Sequence, residues 1–369
     1  MAADHRPRGE SDSAMTSKTN PGNFFEDFTL GRKIKHATPR TLSRGDASLY
    51  TALYGMRFAL PSSDAFAQAM GFSQSPLDDL LVFHTVFGKS VPDISLNAVA
   101  NLGYAAGRFG VPVFPGDTLS TVSEVIGLKE NSNRKTGNVY VRSVGANQRG
   151  ETVLDYVRWV MVRKRDPEAA VGAPVIPDLP QAVAVADLSV PEGLTLSRYD
   201  PGLAGGPHLW DDYAVGERID HVDAMTLEES DHMTAARLYQ NTAKVHFNQH
   251  TQKEEPLGRR IVYGGHIISL ARALSFNGLA NAFKIAAING GRHVAPAVAG
   301  DTVYAWSEVL EKSALPGRND IGALRLRTLA AKDRACRDFP DKDGDGKYDP
   351  AVLLDFDYTV LMPRRKETP

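Results

Sequence analysis

Two stretches of the chain are apolar almost all the way round. One is Leu80-Leu81-Val82-Phe83-His84-Thr85-Val86-Phe87-Gly88; the other runs from His266 to Phe276. Neither shows a polar face at the 3.6-residue period, so each predicts a helix enclosed by other structure. A shorter helical stretch behind a polar turn precedes each, at Arg44–Leu53 and at Leu227–Leu238. Strand-like runs follow. They are Thr118–Leu128, Asn138–Ala146 and Val153–Arg163 after the first, and Thr302–Leu310, Gly322–Thr328 and Leu353–Met362 after the second. A buried helix followed by an antiparallel sheet that curls around it is an α+β unit, and the order of elements predicts two of them.

The residues repeat as well as the pattern. Phe25-Glu26-Asp27-Phe28 with Gly31 and Ile34 parallels Trp210-Asp211-Asp212-Tyr213 with Gly216 and Ile219. Gly107-Arg108-Phe109, Pro112 and Gly116-Asp117-Thr118 parallel Gly291-Arg292-His293, Pro296 and Gly300-Asp301-Thr302. Val153-Leu154-Asp155-Tyr156 parallels Leu353-Leu354-Asp355-Phe356. The offsets are 185, 184 and 200 residues, so only the last interval carries an insertion. Three matches in one order predict two copies of a single unit. Asp166 to Pro207 is rich in Pro, Ala and Gly and has no period, which marks a linker. The expected division is a disordered polar tail over 1–21, one domain over 22–165, the linker over 166–207 and a second domain over 208–366.

Composition narrows the function classes. With 369 residues, 42% hydrophobic and 23% charged, the chain reads as an ordinary globular protein. A net charge of −2 gives no reason to expect nucleic acid or a basic membrane face. No run approaches 18 apolar residues, and the tail lacks a signal-peptide segment, so a cytoplasmic protein is expected. The single cysteine, Cys336, cannot form an intrachain disulfide or a cysteine-based metal site, and no histidine stands near it.

The densest chemistry lies in Leu238–His250, with two histidines, four amides and a lysine. Asn241 and His246 are five residues apart, about 140° around a regular helix, and cannot share one of its faces. If both meet one water, the backbone leaves the helix between them. An imidazole titrates near neutral pH and suits general-base work. His246 and the neighbouring His250 are equally open to reading as ordinary histidines on residue type alone.

One long helix wrapped by an antiparallel sheet, with a Gly-Asp-Thr turn opening a strand, resembles the hotdog fold, here in tandem. The second copy resembles the MaoC-type, or (R)-specific enoyl-CoA hydratase, family. That family's motif is an aspartate, four residues and a histidine, then a glycine turn into the central helix. Asn241 and His246 fall on the Asp and His positions, and Val262-Tyr263-Gly264-Gly265-His266 falls on the turn. Similarity to one branch of the family extends over Lys18–Phe28, Leu81–Ala98 and Gly137–Arg165. It implies an enzyme that reversibly adds water to mesaconyl-CoA, giving β-methylmalyl-CoA, with no cofactor and no metal.

The resemblance also implies roles. His246 would be the base and Gly265 the oxyanion-hole glycine, with Tyr263 and Gly264 against the substrate. Asn241 departs from the family's aspartate. An amide orients a water but cannot titrate, so the acid for the α-carbon is unassigned. The first copy has no histidine in Tyr54–Leu60 and no Gly-Gly turn; His84 stands at that helix-opening turn instead and is expected to be a buried, hydrogen-bonded helix histidine, and the copy is expected to bind rather than react. The implied acyl group carries a second carboxylate, for which Arg57 and Arg292 are the candidate partners. The basic strand ends Arg163–Arg165 and Arg364–Lys366 are candidates for CoA phosphates. Asp341–Asp349 has calcium-loop spacing, but Val352 stands where the loop's glutamate belongs, so a polar turn is expected. A hotdog thioesterase and a non-catalytic acyl-CoA binder are the alternatives, and by analogy with the fold a homodimer is expected.

Overall fold

The computed structural model describes residues 18–365, so the start of the expected tail and Lys366 lie outside it. Eleven strands form one antiparallel sheet. In the first half they are β1 (Lys33–Lys35), β2 (Arg40–Thr41), β3 (Ala98–Phe109), β4 (Thr118–Glu130), β5 (Thr136–Ala146) and β6 (Thr152–Arg163). In the second half they are β7 (Arg218–Thr226), β8 (Lys284–His293), β9 (Thr302–Leu315), β10 (Arg318–Lys332) and β11 (Val352–Pro363). Their order is β1-β4-β5-β6-β3-β8-β11-β10-β9-β7, with β2 also on β4. The halves therefore fuse at β3 and β8, where Tyr104 faces Gly291 and Arg108 faces Ala287. This is the tandem hotdog.

Each half wraps a central helix, Asp79–Ile94 in the first and Gly264–Leu274 in the second. Thirteen of the sixteen residues of the first are buried, as its apolar circumference requires. Phe83 is fully buried among Phe87, Tyr104 and Tyr156. The helix opens on Asp78, whose carboxylate accepts the Leu80 N–H. His84 thus lies inside the helix and not at its opening, which corrects its place, while it is the buried, hydrogen-bonded helix histidine expected. The aspartates Asp78 and Asp79 occupy the counterpart of Tyr263 and Gly264 at the 185-residue offset.

The repeated residues are structural staples. The Asp27 carboxylate accepts the Phe24 N–H and holds Arg165 at 2.8 Å; Asp212 accepts the Leu209 N–H and holds Arg365. Lys164 is buried against Glu130, and Arg364 lies over Trp210. Of the basic strand ends proposed above for CoA phosphates, Arg165 and Arg365 close each sheet onto its own turn, while Arg163 is exposed. Gly116 and Gly300 have φ near +103° and +99°, and the following aspartates accept the Phe114 and Val298 N–H groups. His36 and His221, also 185 residues apart, each reach a serine at 2.8 Å, Ser123 or Ser307, the first residue of a Ser-Glu-Val triplet present in both halves.

In the insertion between β10 and β11, arginines take up the carboxylates. Arg327 clamps Asp341 and Asp355, and Arg334 holds Asp349. Asp343 accepts the Asp345 and Lys347 N–H groups within the turn. Among the described residues no group of three His, Cys, Asp or Glu is placed to hold a metal ion. Cys336 is buried, which pushes its thiol up to about 12. No described helix is long and apolar enough to cross a membrane. The 166–207 segment carries only two single-turn helices; it bridges to β4 at Val175–Leu128 and to β10 through Gln181 and Arg325.

Candidate active site

The helix Glu229–Leu238 ends in a Schellman motif. Gln240 takes the left-handed conformation, φ +53°; its N–H reaches the Arg237 carbonyl, and the Asn241 N–H reaches Ala236. The first copy closes its helix Arg44–Tyr54 the same way, with Gly55 at φ +58° and the Met56 N–H on Thr51. The chain thus leaves the helix just before Asn241, as the five-residue spacing demands, and re-enters one turn of helix at Lys244–Phe247. Gly88 of the first central helix makes room for this bend. A Cβ there would lie 1.9 Å from the Tyr239 carbonyl oxygen and 3.4 Å from the Asn241 nitrogen.

Asn241 is buried, and its Oδ1 accepts the Ala243 N–H at 3.0 Å. Only the oxygen can accept, so the Nδ2 donors remain for other work. His246 Nδ1 lies 2.8 Å from the Ile261 carbonyl. A carbonyl cannot donate, so Nδ1 carries the hydrogen, and in the neutral ring Nε2 keeps its lone pair. Part of the residue is open to a cavity; the ring is otherwise enclosed. That burial, opposed by the Ile261 hydrogen bond, lowers its pKa to about 4.

The cavity is about 420 Å³ and is lined by residues from both halves. Asn241, His246, Tyr263, Gly264 and His293 come from the second; Ser95, Asn101, Tyr104 and Arg158 come from the first. Gly264 and Gly265 begin the central helix, and within the described residues neither N–H has a hydrogen-bond partner. The glycines are sterically required. A Cβ on Gly264 would lie 2.4 Å from the His293 ring, and one on Gly265 2.4 Å from Tyr263 and 2.6 Å from His84. Gly264 lines the cavity and Gly265 is buried behind it.

Behind the cavity, a polar network joins the two central helices. His84 is fully buried, with Nδ1 3.2 Å from the Tyr263 hydroxyl and Nε2 3.0 Å from Ser269. Tyr50 donates to Ser269, and Tyr54 joins the Tyr239 hydroxyl to His266. Buried polar groups satisfied this way hold one geometry. His84 is part of this frame and does not line the cavity.

The two arginines expected at the second carboxylate are elsewhere. Arg57 is exposed, stacks on Phe276 at 4.5 Å and sits 3.7 Å from Asp223. Arg292 is exposed over the Tyr348 ring, because its strand position points away from the cavity. Sequence reasoning did not single out the lining residues His293, Tyr104, Arg158, Asn101 and Ser95. His293, whose pKa burial lowers to about 4, has Nε2 3.1 Å from the Tyr104 hydroxyl. Arg158 and Asn101 lie beside each other at the first copy's end. A signal for Arg158 was available: an arginine inside the apolar alternation of Val153–Arg163.

In the first copy the corresponding space is a pocket of only about 30 Å³, lined by Asp78, Asp79, Arg272 and Lys284. Lys284 pairs with Asp79 at 2.6 Å, and burial raises Asp78 to about 6. Charged side chains thus stand where the second copy has its open helix start.

Comparison with known proteins agrees with this fold. The sequence matches the family model described as mesaconyl-CoA hydratase over residues 11–337. It is 68% identical to β-methylmalyl-CoA dehydratase of Chloroflexus aurantiacus, over 95% of this chain and 100% of that protein. It is 61% identical to mesaconyl-CoA hydratase of Cereibacter sphaeroides, over 94% and 100% of the two chains. A solved MaoC domain dehydratase from C. aurantiacus superposes with TM-score 0.94 at 67% identity, over 95% of this chain and all of that one. A double-hotdog protein of Mycobacterium tuberculosis superposes with TM-score 0.74 at 27% identity, covering 93% and 99%. A tandem hotdog matched along nearly its whole length by these relatives, this chain belongs to the mesaconyl-CoA hydratase family.

Proposed function

We propose that the protein is a hydro-lyase that adds water reversibly to mesaconyl-CoA, giving β-methylmalyl-CoA, in the cytoplasm. The observation that carries the reading is one cavity holding a neutral His246, the Asn241 amide and the unpartnered N–H of Gly264, with the unpartnered N–H of Gly265 directly behind it. Those are the parts that hydration of an enoyl thioester requires. The acyl-CoA is the only ligand the reaction needs.

In this reading His246 Nε2 takes a proton from water as the water oxygen bonds to the β-carbon. The Asn241 Nδ2 donors hold that water in line. Negative charge moves onto the thioester oxygen, where the helix-start N–H groups receive it. Tyr263 packs across the His246 ring, with centroids 5.5 Å apart, and keeps it in place. The imidazolium then returns its proton to the α-carbon, restoring the neutral base. One histidine thereby serves both transfers, consistent with an asparagine at position 241. The reverse sequence dehydrates the product.

The test is to mix the protein with mesaconyl-CoA and follow the conjugated enoyl absorbance and free thiol together. Loss of absorbance with the thioester intact is expected. Released thiol would mean hydrolysis, and no change would mean binding alone. His246→Ala is expected to lower kcat by roughly 10²–10⁴-fold; an undiminished rate would remove His246 from the mechanism.

A further inference from the structure

Arg158 is a charged side chain in a place where the fold does not require one. It sits on β6 facing Tyr104 of β3, between the inward positions Tyr156 and Val160, and its exposure is 0%. Its guanidinium lies over the Phe87 ring at 4.3 Å. The protein gives it only neutral acceptors: Ser90 Oγ at 2.9 Å, with Ser95 Oγ and Asn101 Oδ1 at 3.4 Å. Its titratable neighbours are the phenols of Tyr104, Tyr156 and Tyr263, which burial keeps protonated and neutral, and no described carboxylate pairs with it. A buried cation without a counter-ion is strongly unfavourable unless a ligand completes it. The repeat supplies an internal control. At the 200-residue offset the second copy has Tyr358, a buried uncharged ring stacked on Phe356.

Two unmatched donors stand together here. Arg158 Nε and Asn101 Nδ2 are both buried and have no hydrogen-bond partner, and both residues line the same cavity as His246. Two donors beside a fixed positive charge call for an anionic oxygen acceptor, and a guanidinium fits a planar carboxylate edge-on. We infer that Arg158, with Asn101, is the receptor for the free carboxylate of the acyl group, and so sets the enzyme's preference for a dicarboxylic enoyl thioester. The inference rests on the reaction proposed above. In mesaconyl-CoA the free carboxylate is attached to the carbon that water attacks. A receptor there fixes which alkene carbon faces His246. It also offsets the negative charge beside the incoming oxygen. The degenerate first copy would thus contribute the specificity element and the second copy the base.

The experiment compares mesaconyl-CoA with tiglyl-CoA, which has a methyl group in place of the carboxylate and is otherwise the same enoyl thioester. The wild-type protein is expected to favour mesaconyl-CoA by about 1,000-fold or more in kcat/KM, since a site built to bond a polar group rejects the analogue lacking it. Arg158→Met keeps an unbranched apolar chain without the charge. It is expected to lose at least about 100-fold on mesaconyl-CoA while leaving tiglyl-CoA within about threefold, collapsing the preference. Asn101→Leu strands no charge and keeps the test open should the arginine variant fail to fold; a smaller loss, about tenfold and again confined to mesaconyl-CoA, is expected. Equal hydration of both thioesters by the wild type overturns the receptor while leaving the hydratase reading intact, as does an equal loss on both thioesters in the two variants. Hydration of neither thioester overturns the reaction assignment and this inference with it.

Discussion

Protonating His246 is the perturbation with the most direct readout. A general base works as the neutral imidazole, so the protonated ring is inactive. Enclosure of the ring moves its pKa from the ordinary 6.5 to about 4. That displacement corresponds to roughly 3 kcal/mol between the charged and neutral forms. At pH 7 only about one ring in 1,000 then carries the extra proton. The wild-type kcat/KM should therefore stay level from pH 8 down to about pH 5, then fall about tenfold per pH unit below 4. The quantity to measure is kcat/KM, which reports the free enzyme, from initial rates of enoyl absorbance after brief transfer to each pH. His293 titrates in the same range and needs its own control. In His293→Gln the acid limb is expected to persist. In His246→Gln only a residual rate without that limb should remain. A wild-type limb between pH 6 and 7 would refute the burial argument. Two ionisations that both survive replacement of His246 would refute its role as base and acid.

Asn241→Asp is expected to keep the Ala243 hydrogen bond through one oxygen and to set the other where the Nδ2 donors were. A negative charge beside His246 favours the imidazolium, so the acid limb of kcat/KM should move upward by about one unit or more; an unmoved limb would mean the two side chains do not share a site. Gly88→Ala would drive a Cβ into the Tyr239 carbonyl. A loss of about 1–3 kcal/mol in urea unfolding is expected, together with a lower kcat because the same bend carries Asn241; wild-type stability would contradict the close approach. His221 and His266 are buried, which lowers their pKa values to about 4 and about 3. Between pH 6.5 and about 4 the unfolded chain binds the protons that the folded chain refuses, so stability falls as pH falls, by about 3 kcal/mol per unit for the pair. His221→Gln should reduce the measured slope by about 1.4 kcal/mol per pH unit, as read from urea midpoints at pH 5 and 7; an unchanged slope would exclude the mechanism.

The sequence alone determined the local elements and the repeat. Both central helices were legible because a fully enclosed helix has no polar face. Strands β4, β5, β6, β9, β10 and β11 were legible as strand-like runs separated by turns. Asn241 and His246 could be singled out because their spacing forbids a common helical face, and the Schellman turn at Gln240 is the backbone's answer to that constraint.

What the tertiary structure decided begins with β3 and β8, the strands that fuse the halves and were not anticipated as strands. Their segments, Ala98–Phe109 and Lys284–His293, are rich in alanine and glycine. At the centre of the sheet β8 is buried along its first six residues, so it carries no inward–outward alternation to read. Only that fusion brings Arg158 and Asn101 of the first copy to the cavity that holds His246 of the second. Arg57 and Arg292 were chosen for their type and for nearby motifs, yet their positions point them at solvent. Which arginine meets a buried carboxylate depends on strand register across the fusion and on the absence of a counter-ion inside it. Both are properties of distant residues packed together, which no local stretch of sequence contains.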